Sequence, residues 1–179
     1  MDRRELLLGK LERHTTADAH EEEMRQRIIA FVRRREECFE RTLLEGHITG
    51  SAMIVDRERK RTLLTHHHKL EKWLQLGGHS DGDPDTLAVA LREAEEESGL
   101  KDIVPVSTEI FDVDVHTVPA RKQEPEHFHY DIRFLFEADP DAPLTISSES
   151  KDLAWVPLAD IGKYTAEESM LRMVRKLIC

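Results

Sequence analysis

The pattern of hydrophobic periodicity predicts an α/β domain, with a mixed sheet between helical layers and a helical extension in front. Three observations carry this reading. Residues 3–43 keep a helical period and hold no glycine beyond Gly9, whereas from Gly46 the period drops to that of strands. Strand-like runs then stand on both sides of one short capped helix inside Gly77–Leu100. The chain closes on another amphipathic helical run, through Met170, Leu171, Val174, Leu177 and Ile178. These shifts divide it into a helical extension, 1–43, and a domain, 44–179.

In the extension, Leu6, Leu7 and Leu11 mark a short first helix, and Met24, Ile28, Phe31 and Val32 form the stripe of a longer second one. Thr16 or Asp18 can cap the second. Arg33, Arg34 and Arg35 read as a solvated helix end whose cations complement the dipole. The extension is expected to pack on the core, with a homodimer face as the alternative.

GHITGSAMIVD (46–56) and RTLLTHHH (61–68) read as two strands joined by a charged turn, leading through KLEKWLQLGG into the central stretch. After it, 103–118 is strand-rich and PARKQEPEH (119–127) is a loop. In HFHYDIRFLFEA, Phe128, Tyr130, Ile132, Phe134 and Phe136 share one face, and His127, His129, Asp131 and Arg133 the other. A turn at 139–145 and a short strand around Trp155 follow, and Thr165 with Glu168 offers a capping box for the last helix.

With 179 residues the chain suits one substantial domain. Lys and Arg total 26 against 36 Asp and Glu, a net charge of 26 − 36 = −10, which disfavours extended nucleic acid and anionic membranes as partners. Cys38 and Cys179 lie far apart without a metal-type spacing, so both thiols are expected to be free. The amino terminus, a three-leucine run among charges, is too short and too charged for a signal peptide or a membrane span, which makes the cytoplasm the default location.

The chemistry concentrates in GGHSDGDPDTLAVALREAEEESGL (77–100). Asp83 is placed to cap its helix, Pro84 suits a first turn, and Gly99 suits the left-handed position that ends it. Leu87, Ala90, Leu91 and Ala94 give an apolar stripe. At about 100° per residue, Glu93, Glu96 and Glu97 converge on one side while Glu95 points away. Carboxylates so crowded repel one another, and a hard divalent cation such as Mg²⁺ or Mn²⁺ would neutralise them; a solvated acidic face is the alternative for a run such as REAEEE taken alone.

From Gly78 to Leu100 the chain resembles the Nudix box: Gly, five residues, Glu, seven residues, then Arg-Glu-apolar-any-Glu-Glu-any-Gly-apolar. Gly78, Arg92, Glu93, Ala94, Glu96, Glu97, Gly99 and Leu100 match, and Pro84, flanked by Asp83 and Asp85, replaces the first Glu. The resemblance implies an α/β/α sandwich and a metal-dependent hydrolase of a nucleoside diphosphate linked to another group. It implies Mg²⁺ or Mn²⁺ held by Glu93, Glu96, Glu97 and the Gly77 carbonyl, with Arg92 orienting the glutamates. Glu97 joins the catalytic set with Arg92 and a base from a distant loop: Glu149, which precedes Trp155, or its competitors Glu124 and Glu126.

Contacts to a small nucleotide-type substrate are expected from His79, Lys69, Lys72, Arg121, His127, His129 and Arg133. His66, His67 and His68 alternate faces and cannot converge on one ligand. His127 and His129 could share a metal, but that pair lacks a third ligand at a defined spacing. Trp73 reads as core. No marker of a coenzyme A, NADH or ADP-ribose specificity matches, so a nucleoside triphosphate, a dinucleotide and a nucleotide sugar all stay open. The alternative to an enzyme is a nucleotide-sensing domain of the same type without turnover, motivated by Pro84 and the extra helices. An isomerase of isoprenoid diphosphates ranks last, because it needs a catalytic cysteine in the core, whereas Cys38 falls in the helical extension and Cys179 at the end of the sequence.

Overall fold

The computed structural model describes residues 2–178; Met1 and Cys179, the latter expected as a free thiol, lie outside the described residues. Two helices, α1 (Glu5–Arg13) and α2 (Ala19–Arg34), precede the sheet. Strands β1 (Gly46–Val55), β2 (Arg61–His67), β3 (Trp73–Leu74) and β4 (Leu76–His79) lead into helix α3 (Thr86–Ser98). Then come β5 (Val104–Pro105), β6 (Asp112–Val118), β7 (His127–Glu137), β8 (Ser150–Pro157), a 3₁₀ turn at Leu158–Lys163, and α4 (Glu168–Ile178). Among the described residues no helix is long and apolar enough to cross a membrane.

The eight strands form one mixed sheet whose axis is the parallel pairing of β1 with β7, in register from Gly46↔Phe128 to Val55↔Glu137. All other pairings are antiparallel. β2 takes the far end of β1 (Ile54↔Leu63) and β4 its near half (Thr49↔His79 to Ala52↔Leu76), while β6 and β5 share the outer edge of β7. Side chains alternate across such strands. Even-numbered residues of β1, Ile48, Ala52 and Ile54, therefore join a core with Leu7, Leu11, Ile28, Phe31, Ala90 and Ala94 of the helices. Odd-numbered Met53 and Val55 join the other core with Met170, Met173 and Val174 of α4. This is the expected α/β/α arrangement.

The helices before β1 pack on the sheet. Met24, Ile28, Phe31 and Val32 are all buried, and the Phe31 ring stacks on Tyr130 of β7 with centroids 3.9 Å apart and planes 7° from parallel. Asp18 caps α2 by accepting from the Glu21 N–H at 2.8 Å. Leu6 is exposed, so the first stripe is narrower than expected. Cys38 is buried and free, and burial pushes its thiol up to about 12.

Further corrections concern boundaries and faces. Helix α3 is capped by Asp85, which accepts from the Ala88 N–H at 3.2 Å; Asp83 instead accepts from the Asp85 N–H at 2.9 Å, and Pro84 precedes the cap. Pro84 thus fixes the turn into the helix. Thr165 accepts from the Glu167 N–H at 3.1 Å, but Glu168 pairs with Arg175 and closes no box. Ile178 is exposed. On β7 both faces are buried from Tyr130 to Phe136, while Phe128 is exposed, so the apolar–polar alternation there marks two interiors of different polarity.

The polar interior is ionic. Arg133 donates to Asp131 at 2.8 Å and Asp112 at 3.2 Å; Arg172 of α4 donates twice to Asp112, at 2.8 and 2.7 Å; Lys176 reaches both Asp112 and Glu21 of α2 at 2.8 Å. Asp112, Asp131 and Glu21 are at most 1% exposed, so each charge depends on its partners. The network ties α2 and α4 to β6 and β7. Arg172→Ala, which strips Asp112 of its bidentate partner, should lower the unfolding free energy in a urea titration by about 3 kcal/mol; a loss under about 1 kcal/mol would show that Arg133 and Lys176 suffice.

Candidate active site

Two glycines prepare the seat of α3. Gly50 of β1 and Gly78 of β4 are register partners on the face that α3 covers. A Cβ at Gly50 would stand 2.8 Å from the Thr86 carbonyl oxygen, and one at Gly78 would overlap the Glu93 carboxylate. The helix can therefore press its acidic side against bare backbone. Gly99, at φ 74°, ends α3 in the left-handed region as expected.

That seat decides the electrostatics. Glu97 is 6% exposed, and its carboxyl is pushed up to about 8 by burial first, then by the charges of Glu93, Glu149 and Glu96, with the Gly77 amide pulling the other way. Glu93 is also raised, by burial and by Glu96 and Glu149, against the lowering influence of Arg92. Glu95 and Glu96 are exposed. The helix thus carries two carboxylates whose negative charge lacks full compensation within the protein, with Glu96 and the exposed loop residue Glu149 adding to the field.

Arg92 bridges several groups. Its guanidinium donates to the His79 carbonyl at 3.3 Å and stands 3.6 Å from both Asp83 and Glu93. Asp83 thereby meets the arginine beside the position where Pro84 replaces the box glutamate. Glu149 is anchored through its own backbone, whose carbonyl accepts from the His68 N–H at 2.9 Å just before β8.

The remaining candidates divide. His79, His127 and His129 lie together, joined by His47 of β1, which sequence reasoning missed. Burial keeps the rings of His47, His79 and His129 uncharged, lowering His47 and His79 to about 4 and His129 to about 2. Arg133 is a correction: 2% exposed and surrounded by Asp131, Asp112 and Asp114, it has no face left for a phosphate. Lys72 pairs with Glu167 at 2.6 Å, and Arg121 donates to the Lys69 carbonyl, which ties loop 119–126 to the turn after β2. Both Lys69 and Arg121 are exposed. His66 stacks on Trp73, and Trp73 packs against the α4-side core. Arg41, which holds Asp81 at 2.5 and 2.6 Å, is a further cation that no local pattern singles out.

The sequence model of the NUDIX domain matches residues 46–177. The chain belongs to the Nudix family. No curated protein matches it by sequence. Among solved structures, this Nudix chain is similar in fold to the dihydroneopterin triphosphate pyrophosphohydrolase of E. coli, with a TM-score of 0.56 and 11% identity over 72% of this chain and 92% of that one. It is also similar to an Ap4A hydrolase of C. elegans, with a TM-score of 0.53 and 18% identity over 72% and 93% of the two chains. The MutT protein from Methanosarcina mazei Go1 gives 0.53 and 22% over 75% and 94%.

A raised carboxyl makes the folded state hold a proton that the unfolded state releases. Glu97 takes part between its ordinary value of 4.5 and about 8, so its contribution to stability in chelator should fall as pH rises through that window, while the buried histidines act in the opposite sense below about 6.5. Between pH 7 and pH 9, above the range in which those histidines titrate, the melting temperature in EDTA should drop by roughly 4 °C, at about 2–4 °C per kcal/mol. Glu97→Gln should flatten that slope; an identical slope in the variant would assign it to other groups.

Proposed function

We propose that this Nudix domain is a pyrophosphohydrolase, cleaving a diphosphate linkage in a nucleoside diphosphate joined to another group. The observation that supports it is the pair Glu93 and Glu97, held against bare backbone where ionising them is costly. A folded protein retains like charges at such a cost when a ligand neutralises them. The donor set is all oxygen, which fits a hard divalent cation of the Mg²⁺ or Mn²⁺ kind. Glu93, Glu97 and the more exposed Glu96 would hold it, with the Gly77 carbonyl. When bound, it would neutralise phosphate oxygens and acidify a water.

The chain's own groups do the rest. Arg92, 3.6 Å from Glu93, restrains that carboxylate, and its contact with Asp83 answers the loss of the box glutamate at Pro84. Glu149 is our choice of base, because its charge is felt at both Glu93 and Glu97 while its exposure leaves it open to water and substrate. His79, Lys69 and Arg121 remain the groups we propose for substrate contact. The neighbours named for Ap4A and for dihydroneopterin triphosphate share one fold with different substrates, so the fold leaves the nucleotide open.

Product release from a panel of nucleoside triphosphates, dinucleotides and nucleotide sugars with Mg²⁺ tests this reading. Native protein should turn over at least one of them, and Glu97→Gln should lower kcat by about 100-fold or more, the loss of a few kcal/mol of transition-state stabilisation. Glu149→Gln should reduce kcat with little change in KM. Nucleotide binding without turnover would favour the sensing domain.

A further inference from the structure

The face of β1 turned away from α3 carries a second cluster, made of nitrogen. His47 of β1 lies opposite His129 of β7 in the parallel register, and His116 of β6 opposite His129 in the antiparallel one. Ring centroids are 4.9 Å apart for His47–His129, 5.1 Å for His47–His127 and 5.2 Å for His127–His129. One ring nitrogen from each of these three lies within 4.8 Å of the others. His79 flanks the group, its ring 5.1 Å from His47 and 5.2 Å from His129.

Three details point to a ligand. First, His47 is 3% exposed, and neither of its ring nitrogens has a partner in hydrogen-bond geometry among the described residues, with the Leu43 backbone near the ring but outside that geometry, an arrangement that costs about 1–3 kcal/mol if nothing fills it. Second, His127 Nδ1 lies 2.9 Å from the Pro125 carbonyl oxygen. A carbonyl only accepts, so Nδ1 carries the proton and Nε2 presents its lone pair inward, as in a metal-ligating histidine oriented by an outer hydrogen bond. Third, the Nε2 atoms of His127 and His129 stand 3.3 Å apart, within reach of one hydrogen bond from His129 to the His127 lone pair and equally of two ligands on one ion. Two nitrogens bound to one tetrahedral ion at about 2.0–2.1 Å would stand about 3.3–3.4 Å apart.

We propose that His47, His127 and His129 form a binding site for a divalent transition-metal ion of the zinc type, with a fourth position open beside His79. Its imidazole set distinguishes it from the oxygen set on α3, since nitrogen donors select such ions over Mg²⁺. The site joins the start of β7, and the 119–126 loop that feeds it, to β1. The assignment stands on its own geometry and does not depend on the hydrolase reading.

The test is a titration of metal-free full-length protein with Zn²⁺ against a chromophoric chelator in excess Mg²⁺, with Co²⁺ absorption as a report of tetrahedral nitrogen ligation. Native protein and Glu97→Gln should each bind one equivalent. His47→Ala and His127→Gln should each weaken binding by about 100-fold or more, beyond the 10–100-fold typical of losing an outer-shell partner. Should His47→Ala fail to fold, the half-buried His127 decides through its own variant. Equal Zn²⁺ affinity in native and His127→Gln protein, no binding by the native chain, or loss of binding in Glu97→Gln would each overturn the assignment.

Discussion

The close approach of α3 to a patch of sheet without side chains is the constraint on which this structure turns. Gly50 and Gly78 face each other across β1 and β4, and any Cβ at either would meet the helix. Because the helix sits so near, Glu93 and Glu97 are pressed into a place where water screens them poorly, and their affinity for protons rises. The same approach brings Arg92 to the His79 carbonyl. Packing and chemistry are therefore one arrangement: the apolar stripe drives the helix down, and the carboxylates are carried with it.

β1 then divides the molecule. Its even positions meet α3 and the helices before the sheet; its odd positions run from His47 through Thr49 and Ser51 to Met53 and Val55. Thr49 and Ser51 both donate to Asp131, at 2.9 and 2.7 Å, so a buried carboxylate separates the imidazoles from the apolar core under α4. The strand pairing with β7 puts acid chemistry and nitrogen chemistry on opposite faces of one strand, with the short β4 touching both through Gly78 and His79.

Much of this was legible in the sequence, for local reasons. The Gly99 stop, the α2 stripe and the convergence of the glutamates depend on spacing within one helix. What escaped depends on register. Nothing local says that β1 pairs in parallel with β7, so nothing placed His47 beside His129, and His127 and His129 stayed a pair without a third ligand. Arg133 reads as a substrate contact because its partners Asp112 and Asp114 arrive from another strand, and Arg172 is hidden in an apolar helical stripe. The cap of α3 slipped by two residues because Asp83 and Asp85 carry the same chemistry on either side of a proline.

The glycine-seated carboxylates of α3 hold protons that a cation would displace. An anomalous-difference map from a crystal soaked in Mn²⁺ tests this most directly. A peak about 2.0–2.3 Å from carboxylate oxygens of Glu93 and Glu97 is the predicted result; a fully soaked crystal with Mn²⁺ bound elsewhere and none at these two residues would contradict it.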